Sequence, residues 1–141
     1  MPHAYLSNYG IVEFTGSSLA LTAGGHAGQT VVSNLAATQA ITLPAATGSG
    51  NIYRVFVQTT KSGDLTITTN GSDDYVGALE VTTDASGTPF LSDGTDTIIT
   101  MNGSTTGGVK GSYVELQDVA SATWLVTGRL VSTGTEATPF S

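Results

Sequence analysis

Asn51-Ile-Tyr-Arg-Val-Phe-Val-Gln58 and, six residues later, Leu65-Thr-Ile-Thr-Thr-Asn-Gly71 carry the clearest structural signal in the chain. In the first stretch Tyr53, Val55 and Val57 alternate with Arg54, Phe56 and Gln58. A period of two marks a β-strand, whose successive side chains leave opposite faces of the sheet. Apolar groups on both faces place this strand centrally in its sheet. Lys61-Ser62-Gly63-Asp64 reads as a turn. Beyond it, Leu65 and Ile67 alternate with Thr66 and Thr68, giving a half-buried strand with a hydroxyl face. Asn70-Gly71 is then the dipeptide best suited to a type I′ hairpin turn, because both central residues of that turn need positive φ.

The same logic extends in both directions. Downstream, residues 75–81 read as a strand in which Gly77 marks a bulge, residues 84–87 as a loop, and residues 95–101 as a strand around Ile98 and Ile99 that ends at a second Asn-Gly, 102–103. Residues 105–108 read as a loop, and residues 111–119 and 122–128 as a closing hairpin. In that hairpin Val114 and Leu116 alternate with Tyr113, Glu115 and Gln117, and Trp124 and Val126 share one face. Upstream, strands are expected at residues 11–15, 19–22, 29–33 and 39–43, the last closed by Pro44. Residues 23–28, Ala-Gly-Gly-His-Ala-Gly, read as a flexible loop. Nine to eleven short strands with turn signals between them indicate an all-β fold, an antiparallel β-sandwich of jelly-roll type. The absence of a fixed repeat period weighs against a β-helix. A single domain over residues 11–131 is expected, with extended arms at 1–10 and 132–141.

Composition agrees. Of 141 residues, 24 are Thr, 18 Gly and 14 Ser, while only 11% are charged, against about 25% in a typical soluble domain. Threonine favours strands and glycine supplies tight turns. With no cysteine, disulfides, cysteine-ligated metals and thiol catalysis are excluded. Arg54, Lys61, Lys110 and Arg129 are outnumbered by eleven acidic residues, for a net charge of −7. Such a chain cannot neutralise a phosphate backbone, so nucleic acid is not the expected partner, and an anionic membrane surface is disfavoured likewise. The N-terminal residues lack the basic and apolar regions of a secretory signal.

Catalytic constellations are not apparent. His3 and His26 stand apart, without carboxylates at metal-ligand spacing. Asp73-Asp74 and Asp93-Gly-Thr-Asp96 concentrate carboxylates, but aspartate is also a turn residue, and neither cluster has a calcium-loop pattern. Tyr53, Phe56, Tyr113 and Trp124 sit in alternating strands, which assigns them to a core or a subunit interface ahead of a sugar-stacking platform. No cofactor, metal, small-molecule substrate or enzymatic activity is expected. Few charges and positive mean hydropathy point instead to homo-oligomerisation, which buries surface that charge does not protect.

Three segments resemble tailed-bacteriophage structural proteins: Ala37-Thr-Gln-Ala-Ile-Thr-Leu-Pro44 with Tyr53-Arg-Val-Phe-Val57; Leu65 through Gly77; and Gly111-Ser-Tyr-Val-Glu-Leu-Gln117 with Ala122-Thr-Trp-Leu-Val-Thr-Gly128. Together they span roughly residues 37–128, most of the chain. The resemblance implies a capsid decoration, or cement, protein: a β-sandwich, usually a homotrimer, seated on the outer surface of the phage head where major capsid proteins meet. It would clamp neighbouring subunits against internal pressure, with avidity supplied by multivalency. Tyr5 and Tyr9 are the candidate contacts of the N-terminal arm, since tyrosine is enriched at binding hot spots. The alternative is a receptor- or glycan-binding module of a tail fibre or spike.

Overall fold

The structure is a computed structural model and describes residues 10–141. Its elements are β1 (Ile11–Phe14), β2 (Ser18–Ala20), the four-residue helix α1 (Ala23–His26), β3 (Thr30–Ser33), β4 (Gln39–Thr42), β5 (Ile52–Val57), β6 (Leu65–Thr68), β7 (Asp74–Thr82), β8 (Gly87–Asp96), β9 (Ile98–Met101), β10 (Tyr113–Ala120) and β11 (Thr123–Val131). The fold is all-β, as its pattern requires. Helix α1 replaces the loop expected at residues 23–28. It is capped by Thr22, whose Oγ1 accepts from Gly25 N, and His26 Nδ1 accepts from Thr22 N at 2.9 Å.

Two sheets form. One has seven strands in the order β1-β3-β5-β10-β11-β7-β8, and the other has four, β2-β4-β6-β9. From β1 to β6 the chain alternates between them. β1, β3 and β5 lie parallel in the larger sheet, and β2, β4 and β6 lie parallel in the smaller. The first half is therefore wound as a flattened coil, and the second half returns antiparallel against it through β5–β10 and β6–β9. β10–β11 and β7–β8 are also antiparallel, while β11–β7 is parallel. The sheets are thus mixed, which corrects the expectation of antiparallel pairing throughout. Side-chain alternation is identical for parallel and antiparallel neighbours, so it cannot report strand direction. The coil also lacks a fixed period. Register partners Ile11, Thr30 and Arg54 are unequally spaced, as are Ser18, Ala40 and Thr66.

Alternate residues of both sheets meet in one core. The larger sheet contributes Val31, Tyr53, Val55, Val57, Tyr75, Leu79, Val114, Leu116, Trp124 and Leu130, and the smaller Ile41, Leu65, Ile67, Ile99 and Met101, all buried. Trp124 packs edge-on to Tyr53, with centroids 5.6 Å apart. Tyr75 donates its hydroxyl hydrogen bond to Ile67 O at 2.8 Å, tying the sheets together through the core, and burial pushes its pKa far above the usual range. At the coil's end Lys61 is 4% exposed. Its ammonium donates to Leu35 O, to Ala37 O at 2.8 Å and to Gln39 Oε1 at 3.0 Å. Burial lowers its pKa from the ordinary lysine value. Gln39 in turn donates to Phe14 O and Gly16 O and accepts from Ser33 Oγ. Lys61 does lie in a turn, but as an interior cross-brace between loops.

Two further expectations change. Asn70-Gly71 makes no hairpin, because β6 and β7 belong to different sheets. Asn70 Oδ1 accepts from Ser72 N and Asp73 N, and Gly71 has φ +93°, so the dipeptide forms a corner between sheets. Nor is the C-terminal segment a free arm. Ile99 bridges to Phe140, Thr100 N donates to Pro139 O, and Ser141 N donates to Ile98 O, so the last residues cover the edge of β9. Phe140 is buried beside Tyr75. The β10–β11 hairpin forms as expected, with a bulge between Asp118 and Ala120 and its turn at Ala122, φ +59°.

Candidate interaction surface

Among the described residues no three His, Asp or Glu side chains converge as a metal-binding group would. Asp73 turns inward, where its Oδ2 accepts from Ala46 N at 2.7 Å. Asp93 accepts from Thr95 Oγ1 at 3.0 Å. Asp118, also buried, holds the 46–50 loop: it accepts from Thr47 N at 2.9 Å, Gly48 N at 2.6 Å and Ser49 Oγ at 2.6 Å. Burial alone would raise this carboxyl's pKa. The Ser49 hydroxyl and the backbone N–H groups outweigh it, so the net shift is downward. Asp73 and Asp118 thus satisfy backbone N–H groups of a distant segment, residues 46–48, while Asp93 holds a neighbouring hydroxyl. The surface of the described residues includes two shallow depressions. One of about 620 Å³ lies between residues 82–85 and 131–134, and one of about 510 Å³ lies beside α1 and Arg54; neither gathers several titratable side chains. No helix among the described residues is long and apolar enough to cross a membrane.

The surface that stands out is the outer face of the seven-stranded sheet. Because Tyr53, Val55, Val114, Leu116, Trp124 and Val126 face the core, their neighbours along each strand must face out. One row in register crosses all seven strands: Glu13, Val32, Phe56, Tyr113, Arg129, Glu80 and Pro89. Arg54 pairs across strands with Glu115 at 2.9 Å, and Arg129 with Glu80 at 2.8 Å, so the charges in the middle of the face cancel. On β11 and β7, Leu125 stands opposite Val76. On β8, Leu91 is opposite Ala78 and is 77% exposed. All six large apolar side chains exposed among the described residues (Ile11, Val76, Leu91, Tyr113, Val119 and Leu125) lie in this sheet and none in the other. The outer face of the four-stranded sheet instead carries mainly small and hydroxyl groups such as Ser18, Ala40, Thr42, Thr66, Thr68 and Thr100, with the half-buried Ile98 at one end.

The face thus joins aromatic, aliphatic and arginine side chains, types enriched at protein–protein interfaces, with five carboxylates, Glu13, Asp74, Glu80, Asp93 and Glu115, which are depleted there. The aromatic quartet divides accordingly. Tyr53 and Trp124 are core residues, whereas Tyr113 is half-exposed on the face with Phe56 beside it. Sequence reading missed Val76 and Leu91 as surface residues. Leu91 lies in Gly87-Thr-Pro-Phe-Leu-Ser-Asp-Gly-Thr-Asp96, which looks like loop because of its Pro, Gly and Asp residues. It is an edge strand, the one place in a sheet where proline is tolerated. Tyr5 and Tyr9, the expected arm contacts, lie outside the described residues.

No protein-family model, curated protein or solved structure matches the chain.

Proposed function

We propose that the protein is a structural component of a virion, a capsid decoration protein that binds the outer surface of a phage head as a homotrimer and braces contacts between major capsid proteins. The observation that carries this reading is the broad outer face of the seven-stranded sheet, the sheet that holds all six large apolar side chains exposed among the described residues, set on a cross-braced β core. A cement protein needs a rigid body with adhesive surfaces, and its strength comes from many modest contacts repeated by symmetry. The resemblance of residues 37–128 to tailed-phage structural proteins supplies the viral context. Tyr5 and Tyr9 are the proposed arm contacts with the shell.

Phe56 and Tyr113, side by side on an exposed face, also suit sugar stacking, and favour a glycan-binding fibre module as the second reading. Co-sedimentation with expanded capsids that lack a decoration protein separates the two. Saturable binding at a fixed ratio to the major capsid protein supports decoration. Absence of binding, together with sugar-specific retention on a glycan array, supports the fibre module.

A further inference from the structure

We infer that Asn70 is a site of self-modification: in the folded chain its side chain closes onto the Gly71 nitrogen, loses ammonia and becomes isoaspartate or aspartate, while the matching site at Asn102 is held unreactive. The triplet Asn-Gly-Ser occurs twice, at 70–72 and 102–104. The local chemistry of the two sites is therefore the same, and the fold distinguishes them. The reaction needs no partner and does not depend on any role in an assembly.

In the first step the Gly71 nitrogen attacks Cγ of Asn70 and gives up its proton to solvent, placing negative charge on Oδ1. The Cγ–Nδ2 bond then breaks, ammonia leaves, and a five-membered succinimide remains. Water opens that ring at either carbonyl. Cleavage of the nitrogen's bond to Cγ gives aspartate, and cleavage of its bond to the Asn70 main-chain carbonyl carbon gives isoaspartate, with an extra methylene in the backbone. Donors aimed at Oδ1 favour the first step, as they favour any developing oxyanion. At Asn70 they are in place: Ser72 N at 2.9 Å and Asp73 N at 3.1 Å. The nucleophile is loosely held. Among the described residues Gly71 N–H meets only Thr69 Oγ1, at 3.3 Å, longer than an ordinary N–H···O bond. Asn70, Gly71 and Ser72 are all exposed, and a Cβ on Gly71 would meet nothing within 4 Å. Ring closure has room there, and water has access.

At Asn102 the side-chain oxygen is held alike, by Ser104 N at 2.8 Å and Thr106 N at 3.2 Å. The nucleophile and the leaving group are restrained instead. Gly103 N–H donates to Gly107 O at 2.7 Å, and Asn102 Nδ2 donates to Thr105 Oγ1 at 3.1 Å. Gly103 also lies against Lys61, where a Cβ would come within 2.0 Å of the carbonyl oxygen. Its nitrogen must break these contacts to reach Cγ. Conversion at Asn70 adds a negative charge and, as isoaspartate, a backbone atom to the corner that carries Asp73, whose carboxylate holds Ala46 N.

The test incubates the full chain at mildly alkaline pH, folded or in urea, and follows both sites by peptide mapping with electron-transfer fragmentation, which separates isoaspartate from aspartate. Circular dichroism confirms that the folded sample stays folded. Asn70→Gln, whose longer side chain cannot close the five-membered ring, should abolish the conversion at position 70. In the folded chain Asn70 should convert at least about fivefold faster than Asn102, the rate factor that one ordinary hydrogen bond corresponds to. In urea the two triplets should convert at similar rates. Equal rates in the folded chain, or faster loss at Asn102, would overturn the inference. So would an Asn70 that stays intact in the folded chain while the unfolded chain converts, or a preference in urea as large as the folded one, which would assign the selectivity to sequence.

Discussion

Replacing Lys61 with methionine tests whether a lysine that looks like a surface turn residue is a brace of the interior. Methionine keeps most of the aliphatic stem and removes the ammonium. Gln39 Oε1 would retain its bond from Ser33, but Leu35 O and Ala37 O would lose the Lys61 donor. Leu35 is half-buried and Ala37 exposed, so water can reach these carbonyls in part. An orphaned buried acceptor costs about 1–3 kcal/mol, and hydration together with relief of the ammonium's own desolvation offsets part of it. The net loss should be about 1–3 kcal/mol. At roughly 0.05–0.15 kcal/mol per residue the whole chain is stable by on the order of 10 kcal/mol, so the loss is a measurable share. Thermal unfolding followed by circular dichroism should show a Tm lower by roughly 3–9 °C, taking about 3 °C per kcal/mol for a chain of this size. A Tm equal to or above that of wild type would refute the argument and return Lys61 to the surface.

Other outcomes follow from named contacts. Asp118 has a pKa below its ordinary value of 3.8 when folded, so its contribution is full above that value and is lost as pH falls through the folded pKa. Asp118→Asn should lower stability at pH 7 by about 1–3 kcal/mol, and its urea midpoint should fall less steeply than wild type's on acidification below about pH 4. Gly77 has φ +126°, and a Cβ there would lie 2.3 Å from Val126 O. Gly77→Ala should therefore cost about 3 kcal/mol or more, read by urea unfolding. Ala122 holds φ +59° in the hairpin turn, so Ala122→Gly should stabilise by about 0.5–1 kcal/mol in the same assay. Phe140→Ala removes the ring packed against Tyr75 at the β9 edge. It should cost roughly 3 kcal/mol and speed amide exchange in β9.

The sequence made the strands legible wherever one face had to be buried. Tyr53, Val55 and Val57, then Leu65 and Ile67, then Val114 and Leu116 all face the core as their alternation demands. It could not show what lay beside each strand. Ile41 and Ile67 are parallel partners, while Ile67 and Ile99 are antiparallel ones, yet their local patterns match. Asn70-Gly71 misled because it satisfies a local need for positive φ that an inter-sheet corner shares with a hairpin. Lys61 and Asp118 were illegible because their partners, Leu35 and Thr47, lie 26 and 71 residues away. The candidate interaction face was half visible. Tyr113 and Phe56 were singled out, but Leu91 lies in a stretch whose Pro89 and Gly94 conceal an edge strand. Recognising the face required knowing that β7, β8, β10 and β11 are neighbours.

The measurement closest to the central claim is the rupture temperature of expanded, undecorated phage capsids titrated with this protein, with bound copies counted in the same samples. The account predicts saturation at a fixed ratio to the major capsid protein, three chains to each site, and a rupture temperature that climbs with occupancy. Capsids that rupture at the same temperature whatever the amount added, with no chain bound, would contradict it.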